Sequence, residues 1–283
     1  MSALSSASDL DVEAMLRRLH LPTIRRLYAD LEDQAEEQGL GYRDYLAILL
    51  AEEIAHRAQT RVQRSVRKAK FPFLAPIEDF DFTFQSSVKL QLLGSFLGPE
   101  LVTEGRNLIL SGPTGTGKTR LAISIAYRAI QNGFEARFST AAELIERLSN
   151  AARTGRLETA LHDYLHPHVL VLDEVGYLSL TDNAANVLFQ VVNERYLARK
   201  PMLFTTNKPL AAWGHVLHDP DLAEAILDRV LERGRHIQLR GSSYRTRHHP
   251  PKEKNSEKPH APFTGPRARI SGTTGPENPE PTS

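Results

Sequence analysis

Gly112-Pro113-Thr114-Gly115-Thr116-Gly117-Lys118-Thr119 fills every defining position of G-x-x-x-x-G-K-[ST]. The apolar run Leu108, Ile109, Leu110 leads in, and Leu121, Ala122, Ile123, Ile125, Ala126 and Ala129 follow at helical spacing. Strand before and helix after is the setting of a phosphate-binding loop; a plain Gly-rich turn needs none of Gly117, Lys118 and Thr119 in that order. Glycines at 112, 115 and 117 remove the Cβ atoms that would keep backbone N–H groups from converging on a polyphosphate. A helix starting near Lys118 aims its unpaired N–H groups and positive dipole end at the same anion. Lys118 is expected to reach the β- and γ-phosphates of ATP, and the Thr119 hydroxyl to hold Mg²⁺.

Downstream, Val169-Leu170-Val171-Leu172-Asp173-Glu174 reads as a buried strand ending in two acids. Ligands of a parallel α/β sheet bind beyond the carboxyl ends of its strands, so both acids emerge on the edge that carries the phosphate loop. Asp173 is placed to order Mg²⁺ through its water shell, and Glu174, pointing to the other side, to polarise an attacking water as general base. The strand Met202–Thr205 runs into Thr206, Asn207 and Lys208 and is expected beside the Asp173 strand. An amide at Asn207 can hold the attacking water or sense the γ-phosphate.

Further strands are read at Ala136–Ser139 and His236–Leu239, with helices between. One helix spans Ala141–Ala152 after Thr140, an N-cap with Glu143 three residues on. Another carries Val187, Leu188, Val191, Val192 and Tyr196. This alternation predicts an α/β fold with a parallel sheet built from βαβ units.

Upstream, apolar positions recur at helical spacing from Val12. A short helix carries Met15, Leu16 and Leu19, and a second opens at Pro22 and ends in the turn Gly39-Leu40-Gly41. The third shows Tyr42, Tyr45, Leu46, Leu49, Leu50 and Ile54 on one stripe and then turns basic. Three such helices make a small unit that must dock to bury its apolar face. Arg57, Arg61, Arg64 and Lys68 line one face, either as a cationic stripe that tracks a phosphate backbone or as a solvated helix end suited to the C-terminal dipole. Phe71-Pro72-Phe73 closes that helix. Phe80 and Phe82, in the connector that follows, pack near an adenine ring or pin the connector to the core, and pinning is the commoner use of such aromatics. A helix is expected over Ser87–Leu97.

The 283 residues divide into a helical unit at 1–72, a nucleotide domain at 73–247 and a Pro-, Gly- and Ser-rich tail at 248–283 expected to be disordered. Lys and Arg number 35 against 34 Asp and Glu, so any affinity for nucleic acid comes from local patches. The absence of cysteine excludes disulfides and thiolate metal sites. No basic leader with an apolar core opens the chain and no window reaches membrane-span length, which leads to the expectation of a cytoplasmic protein without membrane contact.

Taken together, the phosphate loop, Asp173-Glu174-Val175-Gly176-Tyr177-Leu178, Ala184-Ala185-Asn186, Phe189-Gln190, Asn207-Lys208-Pro209, Trp213-Gly214, Ala225-Ile226-Leu227-Asp228-Arg229 and Gly241-Ser242-Ser243-Tyr244-Arg245 resemble the AAA+ ATPases of the DnaC clade. With Leu21-Pro22-Thr23, Tyr45-Leu46, Ala69-Lys70-Phe71-Pro72 and Asp79-Phe80-Asp81-Phe82, the chain is most similar to the IstB-like transposition helper proteins, over residues 12–247. The resemblance implies an ATP- and Mg²⁺-dependent ATPase that oligomerises on double-stranded DNA and hands it to a transposase of the same element, the helical unit serving as docking module. Arg229 matches the arginine that one subunit lends its neighbour's site, where a guanidinium neutralises charge on the transferring phosphoryl group. Arg245 matches the second sensor arginine. Two departures stand out: Thr114 replaces a second proline, and little chain follows Arg245 to build a helical lid. Alternative readings are a replicative helicase loader of DnaC type and a DNA-binding assembly protein whose nucleotide site regulates assembly with negligible hydrolysis.

Overall fold

Helix α1 (Val12–Arg18) is capped by Asp11, whose carboxylate accepts from the Ala14 N–H at 2.9 Å. Pro22 starts α2 (Pro22–Gln38), and Gly39, at φ +64°, ends it in the left-handed conformation that glycine adopts without strain. Helix α3 runs from Tyr42 to Ala69. This computed structural model describes residues 11–176 and 184–246, all within the compact unit that spans Met1–Arg247. Tyr177, Leu178 and the 248–283 tail lie outside the described residues, as do 1–10.

The apolar stripe expected on α3 divides. Leu49 is buried and the Tyr45 hydroxyl donates to Tyr28 O at 2.7 Å, but Leu46, Leu50 and Ile54 are exposed and Tyr42 is almost wholly so. Steps of four residues drift by about 40° per step on a helix of 3.6 residues per turn, so this series walks off the face that α2 covers. The C-terminal half of α3 turns Val62, Val66 and Ala69 into the main core.

After α3, a 3-10 turn at Leu90–Leu93 runs into α4 (Gly94–Leu97), and α5 (Glu100–Thr103) follows. The continuous helix expected over Ser87–Leu97 is therefore shortened at its start. Ser87 Oγ donates to Gln85 Oε1 at 2.5 Å and accepts from the Arg240 N–H at 3.1 Å, and the Val88 N–H donates to Gln85 O at 3.3 Å, so the chain is held in a turn just before Leu90.

The remainder alternates: β1 (Asn107–Ser111), α6 (Lys118–Gln131), β2 (Ala136–Thr140), α7 (Ala141–Arg153), α8 (Leu157–Leu165), β3 (Val169–Asp173), α9 (Ala184–Leu197), β4 (Met202–Thr206), α10 (Trp213–Leu217), α11 (Pro220–Glu232) and β5 (Gly234–Gln238). The sheet is parallel throughout, in the order β2-β3-β4-β1-β5. As expected, β4 pairs with β3, Leu172 opposite Phe204. It also pairs with β1, Ile109 opposite Phe204, and so separates the phosphate-loop strand from the acidic strand. Strand β5 starts two residues before the expected His236 and stops at Gln238, because it is an edge strand with exposed Arg235 and Gln238 and lacks a continuous apolar run.

Alternate strand residues feed two cores. Leu108, Leu110, Val171 and Leu203 pack under α3 and α6, whereas Ile109, Leu170, Leu172 and Phe204 pack under α7, α8, α9 and α11. On α9, Arg195 is fully buried and donates to the carbonyls of Tyr164, Pro167, His168 and Pro201. Burial pushes its guanidinium down to about 9, still well above neutrality, so the charge persists and four carbonyl dipoles meet it. This pin ties the entries of β3 and β4 to α9. No helix among the described residues is long and apolar enough to cross a membrane.

Candidate nucleotide site

At the carboxyl edge of the sheet, the loop after β1 enters α6 through Gly117, at φ +93°. Only a residue without a Cβ fits two positions of this loop. A Cβ on Gly112 would lie 2.1 Å from Leu239 O, and one on Gly115 2.1 Å from Ser243 Oγ. The loop is thus wedged against the chain that follows β5, and the Tyr244 N–H donates to Gly115 O at 2.9 Å. Within it, Thr116 Oγ1 and Lys118 Nζ each donate to Pro113 O at 2.8 Å. Burial lowers the Lys118 ammonium below the ordinary lysine range; Asp173 and Glu174 act against this and Arg245 adds to it. A bound polyphosphate would supply the negative charge that this lysine is short of.

Asp173 is buried at the tip of β3. Its Oδ1 accepts from Thr119 Oγ1 at 2.8 Å and from the Thr205 hydroxyl. A hydroxyl and one carboxylate form a hard-oxygen donor set of the kind Mg²⁺ uses together with substrate phosphates, so these residues fit that ion. Glu174 is exposed and sits at φ +59°, a left-handed conformation uncommon for a residue with a Cβ. Its N–H donates to Thr205 Oγ1 at 3.0 Å. Asn207, half-buried at the end of β4, brings its Oδ1 within 3.1 Å of where a Gly176 Cβ would stand.

These groups surround a cleft of about 390 Å³ lined by Thr114 to Arg120, Glu174, Thr205, Thr206, Asn207, Tyr244 and Arg245 on one side and by Phe73, Asp79, Phe80, Asp81, Phe84 and Gln85 on the other. Of the two connector aromatics, Phe80 is buried in the core and also lines the cleft, 3.2 Å from a hypothetical Gly117 Cβ. Phe82 packs on the core and meets the Phe80 ring at 4.8 Å.

Arg229 stands elsewhere. It lies on α11 over the Phe189 ring at 4.8 Å, with Nε donating to Asn193 Oδ1 at 3.1 Å and Nη1 to Ala225 O at 2.9 Å. It does not line the cleft of its own chain. The basic face of α3 does not line the cleft either. Arg57 donates to Glu53 Oε1 at 2.8 Å and to His20 O; Lys68 approaches Glu135 at 3.8 Å; Arg61 and Arg64 are exposed.

Sequence reasoning missed the parts of four residues. Gln85 is buried and donates Nε2 to Thr116 O at 2.9 Å, holding the loop from the connector. Phe84 and Tyr244 meet edge-on at 5.2 Å across the cleft mouth. Thr205 touches both acids. A lone Gln or Thr carries no spacing signal; only the position of Thr205 one residue before a polar strand end pointed toward it.

A parallel sheet in this order, with a glycine-rich loop, a lysine and a hydroxyl at one strand end and adjacent acids two strands over, defines an AAA+ P-loop nucleotide-binding fold. The chain belongs to the IstB-like ATP binding protein family, whose pattern matches residues 14–251. It is 37% identical to the ATP-binding protein of insertion sequence IS5376 from Geobacillus stearothermophilus, over 81% of this chain and 91% of that one. The ATP-binding protein of insertion sequence IS21 from Pseudomonas aeruginosa is 34% identical over 83% of this chain and 88% of its own. Among solved structures, the DnaC helicase loader aligns with 53% of this chain and 88% of its own, at 25% identity and a TM-score of 0.48.

Proposed function

We propose that this protein is an ATPase of an insertion sequence that assembles on double-stranded DNA in its ATP state, engages a transposase encoded by the same element, and leaves the DNA on hydrolysis. The supporting observation is the convergence of Lys118, Thr119, Asp173, Glu174, Asn207 and Arg245 on one edge of the sheet, in a chain of this family.

In this reading Lys118 and the loop N–H groups bind the β- and γ-phosphates, and Arg245, which lines the same cleft, adds a second cation toward them. Thr119 and Asp173 would hold Mg²⁺, whose charge, when bound, would offset that of the phosphate oxygens. Glu174 accepts a proton from the attacking water, which Asn207 orients. Arg229 completes a neighbouring subunit's site, consistent with its place outside its own cleft. Catalysis then requires an oligomer. The helical unit, residues 1–72, docks the transposase or DNA, and Arg61 and Arg64 with Arg57 and Lys68 form the cationic face for phosphate backbone. Such a protein works in the cytoplasm.

Phosphate release from Mg·ATP with and without duplex DNA tests the reading. Glu174→Gln is expected to abolish release while keeping nucleotide and DNA binding, and undiminished release in that variant removes Glu174 from the mechanism. A transposase gene beside this one supports the partner, whereas a neighbourhood of replication genes favours a helicase loader.

A further inference from the structure

A single buried hydroxyl joins the two acids of the nucleotide site. Thr205 lies one residue beyond the Leu172–Phe204 pair, abreast of Asp173, and is 1% exposed. Its Oγ1 donates to Asp173 Oδ1 and accepts from the Glu174 N–H at 3.0 Å, while its carbonyl accepts from the Val175 N–H at 2.9 Å. The same residue therefore holds the backbone on both sides of the Glu174 Cα. That matters because Glu174 sits at φ +59°, a conformation that strains an L-residue and persists only where its surroundings impose it. The carbonyl bond is one that any residue at this position would make, whereas the two hydroxyl bonds, one to each acid residue, require a side-chain O–H.

We infer that Thr205 is a positioning residue, which fixes the direction of the Glu174 side chain and the rotamer of Asp173 together. The inference rests on Glu174 acting as the base and extends that reading to a residue touching no reacting atom. Both carboxylates have only a few rotatable bonds beyond their Cα atoms, so a turn of the backbone at Glu174 displaces the carboxylate by an ångström or more, enough to cost about a hundredfold in rate. Asp173 meanwhile loses one of two donors to the same oxygen and becomes free to rotate away from Thr119.

The test compares Thr205→Val, which keeps the shape and loses the hydroxyl, with Thr205→Ser, which keeps the hydroxyl. In Thr205→Val, kcat is expected to fall about tenfold to a hundredfold with KM for ATP within about twofold, and Thr205→Ser to recover to within about threefold of the parent. A second readout needs no turnover: the Mg²⁺ concentration that half-saturates binding of a fluorescent non-hydrolysable ATP analogue rises about fivefold or more in Thr205→Val and stays at the parent value in Thr205→Ser. Should Thr205→Val fail to fold, Thr205→Ala decides the same two readouts. Parent-like kcat and Mg²⁺ midpoint in the hydroxyl-free variant overturn the inference, as does a serine variant no better than valine. A parent protein without turnover sinks the ATPase reading alone, and the Mg²⁺ midpoint then decides the role of Thr205 at Asp173.

Discussion

Thr119 gives its hydroxyl hydrogen to Asp173 Oδ1 across 2.8 Å, tying the first turn of α6 to the tip of β3. Both groups are hard oxygen donors of the kind Mg²⁺ takes. Thr119→Ala is therefore expected to weaken nucleotide binding about tenfold or more in the presence of Mg²⁺ and little in EDTA, since about 1.4 kcal/mol accompanies each factor of ten. Calorimetry with a non-hydrolysable ATP analogue, with and without the metal, measures the difference.

Gly115 and Ser243 are as close as two residues can be without a Cβ between them. An added methyl would sit 2.1 Å from Ser243 Oγ, at φ +83°. Gly115→Ala should displace the 243–245 segment as well as strain the loop, lowering stability by about 1–2 kcal/mol and nucleotide affinity with it. Urea unfolding and analogue binding, measured on the same preparation, report the two effects.

Arg229 reaches Asn193 and Ala225 on its own chain and lies outside its own cleft. If it serves a neighbour, Arg229→Ala binds ATP like the parent but does not turn it over. Mixing it with Lys118→Ala subunits, also inactive, should restore a fraction of the parent rate, because some interfaces then pair an intact loop with an intact arginine. Mixtures as silent as their components argue against a trans role.

Glu53 caps α2 from α3. Its Oε2 accepts from the Thr23 N–H at 2.8 Å and the Ile24 N–H at 3.2 Å, and its Oε1 from Arg57. Burial alone would raise its carboxyl pKa, but Arg57 and those two N–H groups outweigh burial and hold it below the ordinary value. An acid that is stronger when folded adds stability above its unfolded value of about 4.3 and loses it as pH falls through the lower folded value. Glu53→Gln should cost about 1–2 kcal/mol at pH 7 and flatten the loss of stability on the acid side. Denaturant midpoints measured between pH 7 and pH 3 show both.

Arg195 satisfies four carbonyls from inside the core. Arg195→Met fills the volume and leaves those acceptors without donors, at an expected cost of about 3 kcal/mol or more. A melting curve reads the loss, and a variant as stable as the parent would mean that water takes over the carbonyls.

Much of this was legible along the chain. The strands at Leu108, Val169 and Met202, the cap at Thr140 and the turn at Gly39 are written in spacings of a few residues, and local backbone chemistry governs them. Arg195 also left a trace, since it continues the 188, 191, 192 stripe of α9 where an apolar residue belongs. Glu53 left none, because α2 and α3 meet at an angle that no helical period encodes.

The residues by themselves determined that a loop for phosphate precedes α6, that two acids end β3, and that a parallel sheet carries both on one edge, because short-range sterics and periodicity leave no other economical arrangement. Only the tertiary structure decided that β4 stands between the loop and the acids, that Thr205 thereby touches both, that Arg229 lies outside its own cleft, and that Leu46, Leu50 and Ile54 face outward. Those outcomes depend on contacts between residues far apart in sequence, where packing geometry selects among partners that the linear pattern leaves equivalent.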